Sequence, residues 1–223
     1  MGKPDDTTRS EISKQIFVPA KECRAEIVVI NSRFVANAAP AYSVEEARSF
    51  IQRIRNEFVS ATHHVPAYLI GYGTSIIEHC NDDGEPAGTA GKPILSVLKG
   101  SGIGNIVVVV VRYFGGTKLG TGGLVKAYQQ ATKAVLAALP LAVQVKACEL
   151  LCVVGYSDYQ KVQRFIENQD GTILAEDFSD RVILQVQIPL SGLANFEQTL
   201  RNLTHGTAAV TMLNPEVIVL RPA

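Results

Sequence analysis

The stretch that most restricts the fold lies mid-chain, where residues 105–114 read NIVVVVVRYF. Successive side chains of a strand point to opposite faces of a sheet. Here both alternating faces are apolar, so this strand must be central and covered on both sides. The purely apolar part, residues 106–111, is far too short to span a bilayer.

Further elements frame it. EIVVIN at 26–31 reads as a strand. Ser43 and Glu46 form an S-x-x-E capping box. Val44, Ala47, Ile51, Ile54 and Phe58 then recur at three-four spacing, which gives a helix one apolar face. AYLIGYG at 67–73 reads as a strand, and KPILSVLKG at 92–100 as a short helix with Pro93 in its first turn. A long helix is expected from Gly122 to about Leu139, with Leu124, Tyr128, Ala131, Val135 and Leu139 on its inner face and Pro140 closing it.

After Pro140 the pattern changes. A strand is expected over 146–155, then a helix capped by Ser157 and Gln160. Turns at Asp170-Gly171 and Ser179-Asp180 lead into TILAEDF and RVILQVQIP. A helix from Ser191 carries Leu193, Phe196, Leu200 and Leu203, and a last strand ends near Leu220. The order β-α-β-β-α-β is that of a ferredoxin-like domain. The expected organisation is a flexible leader over 1–20, a first domain over 21–140 and a second over 146–223.

Composition narrows the class. The 223 residues are 47% apolar and 19% charged, enough for a real core. Lys and Arg equal Asp and Glu at 21 each, which argues against whole-surface attraction to nucleic acid or an anionic membrane and leaves room for local patches. The opening MGKPDDTTRSE lacks the apolar core of a signal peptide, so a cytoplasmic protein with no membrane partner is expected. Cys23, Cys80, Cys148 and Cys152 form no C-x-x-C pair, so neither a zinc ribbon nor a thioredoxin motif is present. Cys148 and Cys152 share one face of a strand and read as small buried apolar residues.

Two polar loops remain: NDDGEPAGTAGKPIL at 81–95 and RYFGGTKLGTGGL at 112–124. The second joins the central strand to the long helix. Gly115, Gly116, Gly120, Gly122 and Gly123 let backbone N–H groups turn toward one point, and the helix start adds free donors and a positive dipole end. With Arg112 and Lys118 they make an anion or phosphate pocket. The loop matches neither a Walker A motif nor G-x-G-x-x-G, and a plain strand-to-helix turn is the alternative. In the first loop, Asp82, Asp83 and Glu85 could hold Mg²⁺ or Ca²⁺. They do not fit an EF-hand, and the plainer role is pairing with Arg112 or Lys118 or capping nearby N–H groups. His63, His64, His79 and Cys80 lack metal-ligand spacing, so no metal site and no cofactor beyond Mg²⁺ is expected. Candidate catalytic groups are His63, Asp83 and Glu85.

ATHHVPAY, DDGEPAGTAGKPIL and VVVVRYFGGTKLGTGGLVKAY together resemble the YigZ/IMPACT family, over about residues 32–139. The later split βαβ domain is similar to that of its two-domain bacterial members. The resemblance puts the family's histidine at His63, where His63-His64 replaces the more usual His-Asn, and its basic residue near the end of the second motif at Lys126. It implies a ribosomal-protein-S5-domain-2-like first domain and a second domain like elongation factor G domain V. Eukaryotic members belong to a translation regulator that relieves control by an amino-acid-starvation kinase through its ribosome-associated activator. The implied function is therefore regulation of translation, with the ribosome, RNA or a translation-control protein as partner. On this reading Arg112, Lys118 and Lys126 contact phosphate and the ferredoxin-like domain adds an RNA- or protein-facing sheet. An enzyme acting on a phosphorylated small molecule, and an interaction module with a purely structural loop pair, are the alternatives.

Overall fold

The computed structural model describes residues 16–72 and 75–223. Most of the leader expected over 1–20 lies outside the described residues. By packing, the chain divides into one unit of residues up to Val143 with Pro222–Ala223, and a second of Gln144–Arg221.

The first unit is built on strands β1 (Ile16–Pro19), β2 (Cys23–Val29), β3 (Ser32–Pro40), β4 (His63–Tyr72), β5 (Ser75–Cys80) and β6 (Ile106–Tyr113). Its helices are α1 (Val44–Glu57), α2 (Gly91–Ser101) and α3 (Gly120–Ala138). The sheet runs β2-β3-β6-β4-β5, with antiparallel neighbours throughout. The valine-rich strand β6 lies at its centre. Ile106, Val108 and Val110 pack on the α2 and α3 side, while Val107, Val109 and Val111 pack on the α1 side. All six are buried completely. Each valine so covered contributes roughly 1.5–3 kcal/mol relative to exposure.

Ser43 caps α1 by accepting the Glu46 N–H at 3.1 Å. Glu46 in turn accepts the N–H of Tyr42 rather than that of Ser43, so the capping box closes one residue early. Part of the expected leader is structural: Ile16–Pro19 is a strand whose Val18 is wholly buried. Phe17 accepts the Gly104 N–H at 2.9 Å, and Ala20 donates to Pro140 at 2.8 Å.

The second unit takes in most of β7 (Leu141–Val154) and β10 (Ala209–Pro222), together with α4 (Tyr159–Asn168), β8 (Thr172–Phe178), β9 (Val182–Pro189), a 3₁₀ turn and α5 (Leu193–Leu203). Within it the sheet order is β10-β7-β9-β8, which is the ferredoxin-like arrangement of a β-α-β-β-α-β chain. Cys148, Leu150, Cys152 and Val154 alternate inward on β7, as Val182, Leu184, Val186 and Ile188 do on β9, and α4 and α5 cover them. Two expectations are corrected. The strand expected over 146–155 begins five residues earlier and ends one earlier, as the fourteen-residue β7. Asp158, without a side-chain capping bond, stands at the N-cap of α4, not Ser157.

Candidate functional site

Strand parity decides where Arg112 points. It continues the even positions of β6, so its side chain follows Val108 and Val110 toward the α3 layer. There it is 5% exposed. Its neighbours in register are Phe34 on β3 and His63 on β4. The acidic loop crosses above and lowers Glu85 onto it: Arg112 Nη1 donates to Glu85 Oε1 at 2.7 Å. The Tyr128 hydroxyl, from the inner face of α3, donates to the same oxygen at 2.7 Å. Arg112 Nη2 reaches Ser32 Oγ at 3.4 Å, and Ser32 Oγ also accepts the Gly115 N–H at 3.2 Å. Arg112 Nε is buried without a hydrogen-bond partner. The guanidinium lies 5.5 Å from the ring centroids of both Phe34 and Phe114, so aromatic faces offset part of that deficit. Burial, then the bond to the Glu85 carboxylate, pushes the Tyr128 hydroxyl far above its ordinary range, so it stays protonated and donates.

The other two carboxylates are engaged as well. Asp82 accepts the N–H groups of Gly88 at 2.8 Å, Ala90 at 3.2 Å and Gly91 at 2.8 Å. It thereby caps α2 from a distance, since Ala90 at the N-cap offers no side chain for the purpose. Burial raises the Asp82 carboxyl, but those three donors and Lys92 outweigh it and hold it below the ordinary value. Asp83, at φ +49°, pairs with Arg55 at 2.8 Å and accepts the His64 N–H at 2.7 Å.

The histidines complete the latch. His63 Nδ1 lies 2.7 Å from the Asp83 carbonyl, which can only accept, so Nδ1 carries the hydrogen. Its Nε2 then faces Glu85 Oε2 at 3.9 Å. His64 Nε2 bonds the Phe58 carbonyl at 2.9 Å by the same logic.

His63, Asp83 and Glu85, the candidate catalytic residues, therefore do meet, but each carboxylate already holds internal donors. Among the described residues no group of three or more His, Cys, Asp and Glu is placed to hold a metal ion. Arg112 is corrected from a phosphate contact to a buried structural cation. Lys118 and Lys126 are exposed, and among the described residues neither forms a salt bridge. Three participants were missed in the sequence reading. Tyr128 was readable, because a tyrosine on a buried helix face needs a partner for its hydroxyl. Ser32 and Arg55 carried no local signal.

The glycines of the second loop separate into kinds. A Cβ on Gly115 would lie 2.1 Å from the Asn31 carbonyl, so the close passage of the β2–β3 turn forbids any side chain there. Gly116 and Gly120 have positive φ. Gly123 would bring a Cβ to 3.2 Å from that of Leu119. Gly122 has no positive φ, and beyond its chain neighbours and the backbone of its own helix no atom lies within 4 Å of the added Cβ. It stands in the first turn of α3, which has no side-chain cap and no acidic residue.

Comparison with known proteins agrees with this architecture. Residues 30–136 match the model of the Impact N-terminal domain, and residues 152–207 match a domain of unknown function, DUF1949. The IMPACT family member YigZ of Escherichia coli K12 is 36% identical over 192 residues, spanning 86% of this chain and 94% of that protein. IMPACT family member YvyE of Bacillus subtilis is 33% identical over 186 residues, spanning 83% and 85%. Protein IMPACT of Mus musculus is 33% identical over 93 residues, 40% of this chain and 29% of that protein. A crystal structure of a hypothetical protein superposes with a TM-score of 0.60 at 35% identity, covering 90% of this chain and 98% of that one. On identity, coverage and domain order together, the chain is a member of the IMPACT family.

Proposed function

We propose that the chain is a translation-associated regulatory protein whose first domain contacts RNA phosphate, on the ribosome, through the start of α3. The observation that carries this is Gly122. Glycine in a helix costs roughly 0.5–1 kcal/mol against alanine, and nothing in the fold requires one here. Its absent side chain leaves bare backbone at the uncapped helix start. Lys126 lies one turn further along the same helical face, and Lys118 lies in the loop before it, both exposed. A phosphate placed there would meet N–H donors, the positive end of the helix and two cations. The buried Glu85–Arg112–Tyr128 network supports the reading by fixing the acidic loop and α3 to one point of the sheet.

The test is co-sedimentation with ribosomes at low and moderate salt. Wild type should pellet at low salt and be released as salt rises, since phosphate contacts act through counterion release. Lys118→Ala and Lys126→Ala should each lower the bound fraction at low salt while leaving the melting temperature unchanged. If both variants pellet like wild type, the α3 contact is wrong and the loop is only a turn.

A further inference from the structure

The second unit carries surface chemistry of a different kind. Residues up to Val143 contain fifteen Lys and Arg against twelve Asp and Glu, whereas residues 144–221 contain six against nine, giving net charges of +3 and −3. On the side of the sheet turned away from α4 and α5, β7 carries Glu149, Leu151 and Val153 and β9 carries Ile183, Gln185 and Gln187, none of them cationic. That face does not suit a nucleic-acid backbone.

At one end of this sheet stand three aromatic rings. Tyr156 follows β7, Tyr159 opens α4 and Phe178 ends β8. Phe178 lies 5.4 Å from Tyr159, edge to face, and 6.5 Å from Tyr156. Tyr159 packs against the core, but Tyr156 and Phe178 do not belong to it and are 54% and 52% exposed. The rings are held in place: the Tyr156 hydroxyl donates to the Ser179 carbonyl at 2.6 Å, and that of Tyr159 to Glu176 at 2.9 Å. Glu176 accepts the Tyr159 hydroxyl, Asp158 directly precedes Tyr159, Asp180 directly follows Ser179, whose carbonyl holds Tyr156, and Asp177 lies on the opposite side of β8. The nearby cations are engaged, Lys161 with Asp158 at 3.6 Å and Arg181 with the Thr207 carbonyl at 2.8 Å.

We infer that this end of the second unit docks an arginine- or lysine-rich segment of another protein. Two half-exposed aromatic faces take cations by cation–π contact, and the surrounding carboxylates add attraction of the same sign. Because both tyrosine rings are already positioned, binding freezes little further side-chain freedom. An RNA strand would also find rings to stack on, but it would have to approach a surface of its own charge.

The experiment titrates the full chain into a fluorescein-labelled peptide of alternating arginine and glycine, read by anisotropy at low salt. Wild type should bind, and Tyr156→Ala/Phe178→Ala should weaken binding by about fivefold to tenfold. Asp180→Lys, which leaves the rings in place, should weaken it as well. Far-UV circular dichroism should show both variants folded, since neither ring belongs to the core. Lys118→Ala should bind the peptide like wild type, which separates this surface from the α3 contact. Peptide affinity unchanged in the aromatic variant overturns the inference. So does the outcome in which that variant loses affinity for a labelled poly-uridine strand and not for the peptide.

Discussion

Replacing Glu85 by alanine deprives two buried donors of one shared acceptor. Arg112 Nη1 and the Tyr128 hydroxyl both donate to Glu85 Oε1 at 2.7 Å, and the Arg112 and Glu85 side chains are 6% and 3% exposed. Leaving one member of a buried ion pair unpaired costs about 3–5 kcal/mol. The stranded hydroxyl adds roughly 1–3 kcal/mol where the site does not relax, so the loss should fall at the upper end of the first range. For a chain of this size that is a melting-point drop on the order of 10–15 °C. The assay is urea unfolding followed by far-UV circular dichroism, because the chain has no tryptophan. The double variant Glu85→Leu/Arg112→Met should recover most of the loss, since the cost lies in the stranded charge rather than in missing attraction. A cost for Glu85→Ala below about 1 kcal/mol would refute the reasoning, because breaking a buried pair cannot be that cheap. So would a double variant no better than the summed singles.

Asp82→Asn should destabilise the chain in a pH-dependent way. The folded carboxyl sits below its ordinary value of 3.8, so its contribution is full above that value and fades as pH falls through the folded one. Wild-type and variant unfolding curves should therefore differ at neutral pH and converge in strong acid. Cys148 and Cys152 should resist thiol reagents at mildly alkaline pH until the chain unfolds, because both are wholly buried, and that burial also raises both thiols, Cys152 to about 12. Cys23 and Cys80, partly exposed, should be modified first, as peptide mapping of the labelled protein would show.

Periodicity gave away the elements whose faces are unambiguous. The two-sided apolar run placed β6 at the sheet centre, and Ser43 with its three-four apolar spacing placed α1. Strand β3 was missed because SRFVANAAP is rich in alanine, a poor strand former, although Phe34, Ala36 and Ala38 are all buried. Strand β5 was missed because SIIEHC is an exposed edge with no apolar alternation to read. The candidate site was legible as two loops of opposite charge, but not in its geometry. Arg112 read as available because it ends a strand beside glycines; its parity with Val108 and Val110, which turns it inward, was there to be counted. The split of the acidic loop into a helix cap, an arginine–histidine latch and a buried pair depends on approaches across tens of residues. No local pattern encodes those.

The central claim is that α3 begins bare because something binds there, and Gly122→Ala tests it directly. Melting temperature and ribosome co-sedimentation at low salt are measured on the same preparation. A methyl group at this position meets nothing within 4 Å outside its own helix backbone, so the fold should gain roughly 0.5–1 kcal/mol. The account predicts opposite signs: a higher melting temperature together with weaker pelleting. A variant that is more stable and pellets like wild type would contradict it.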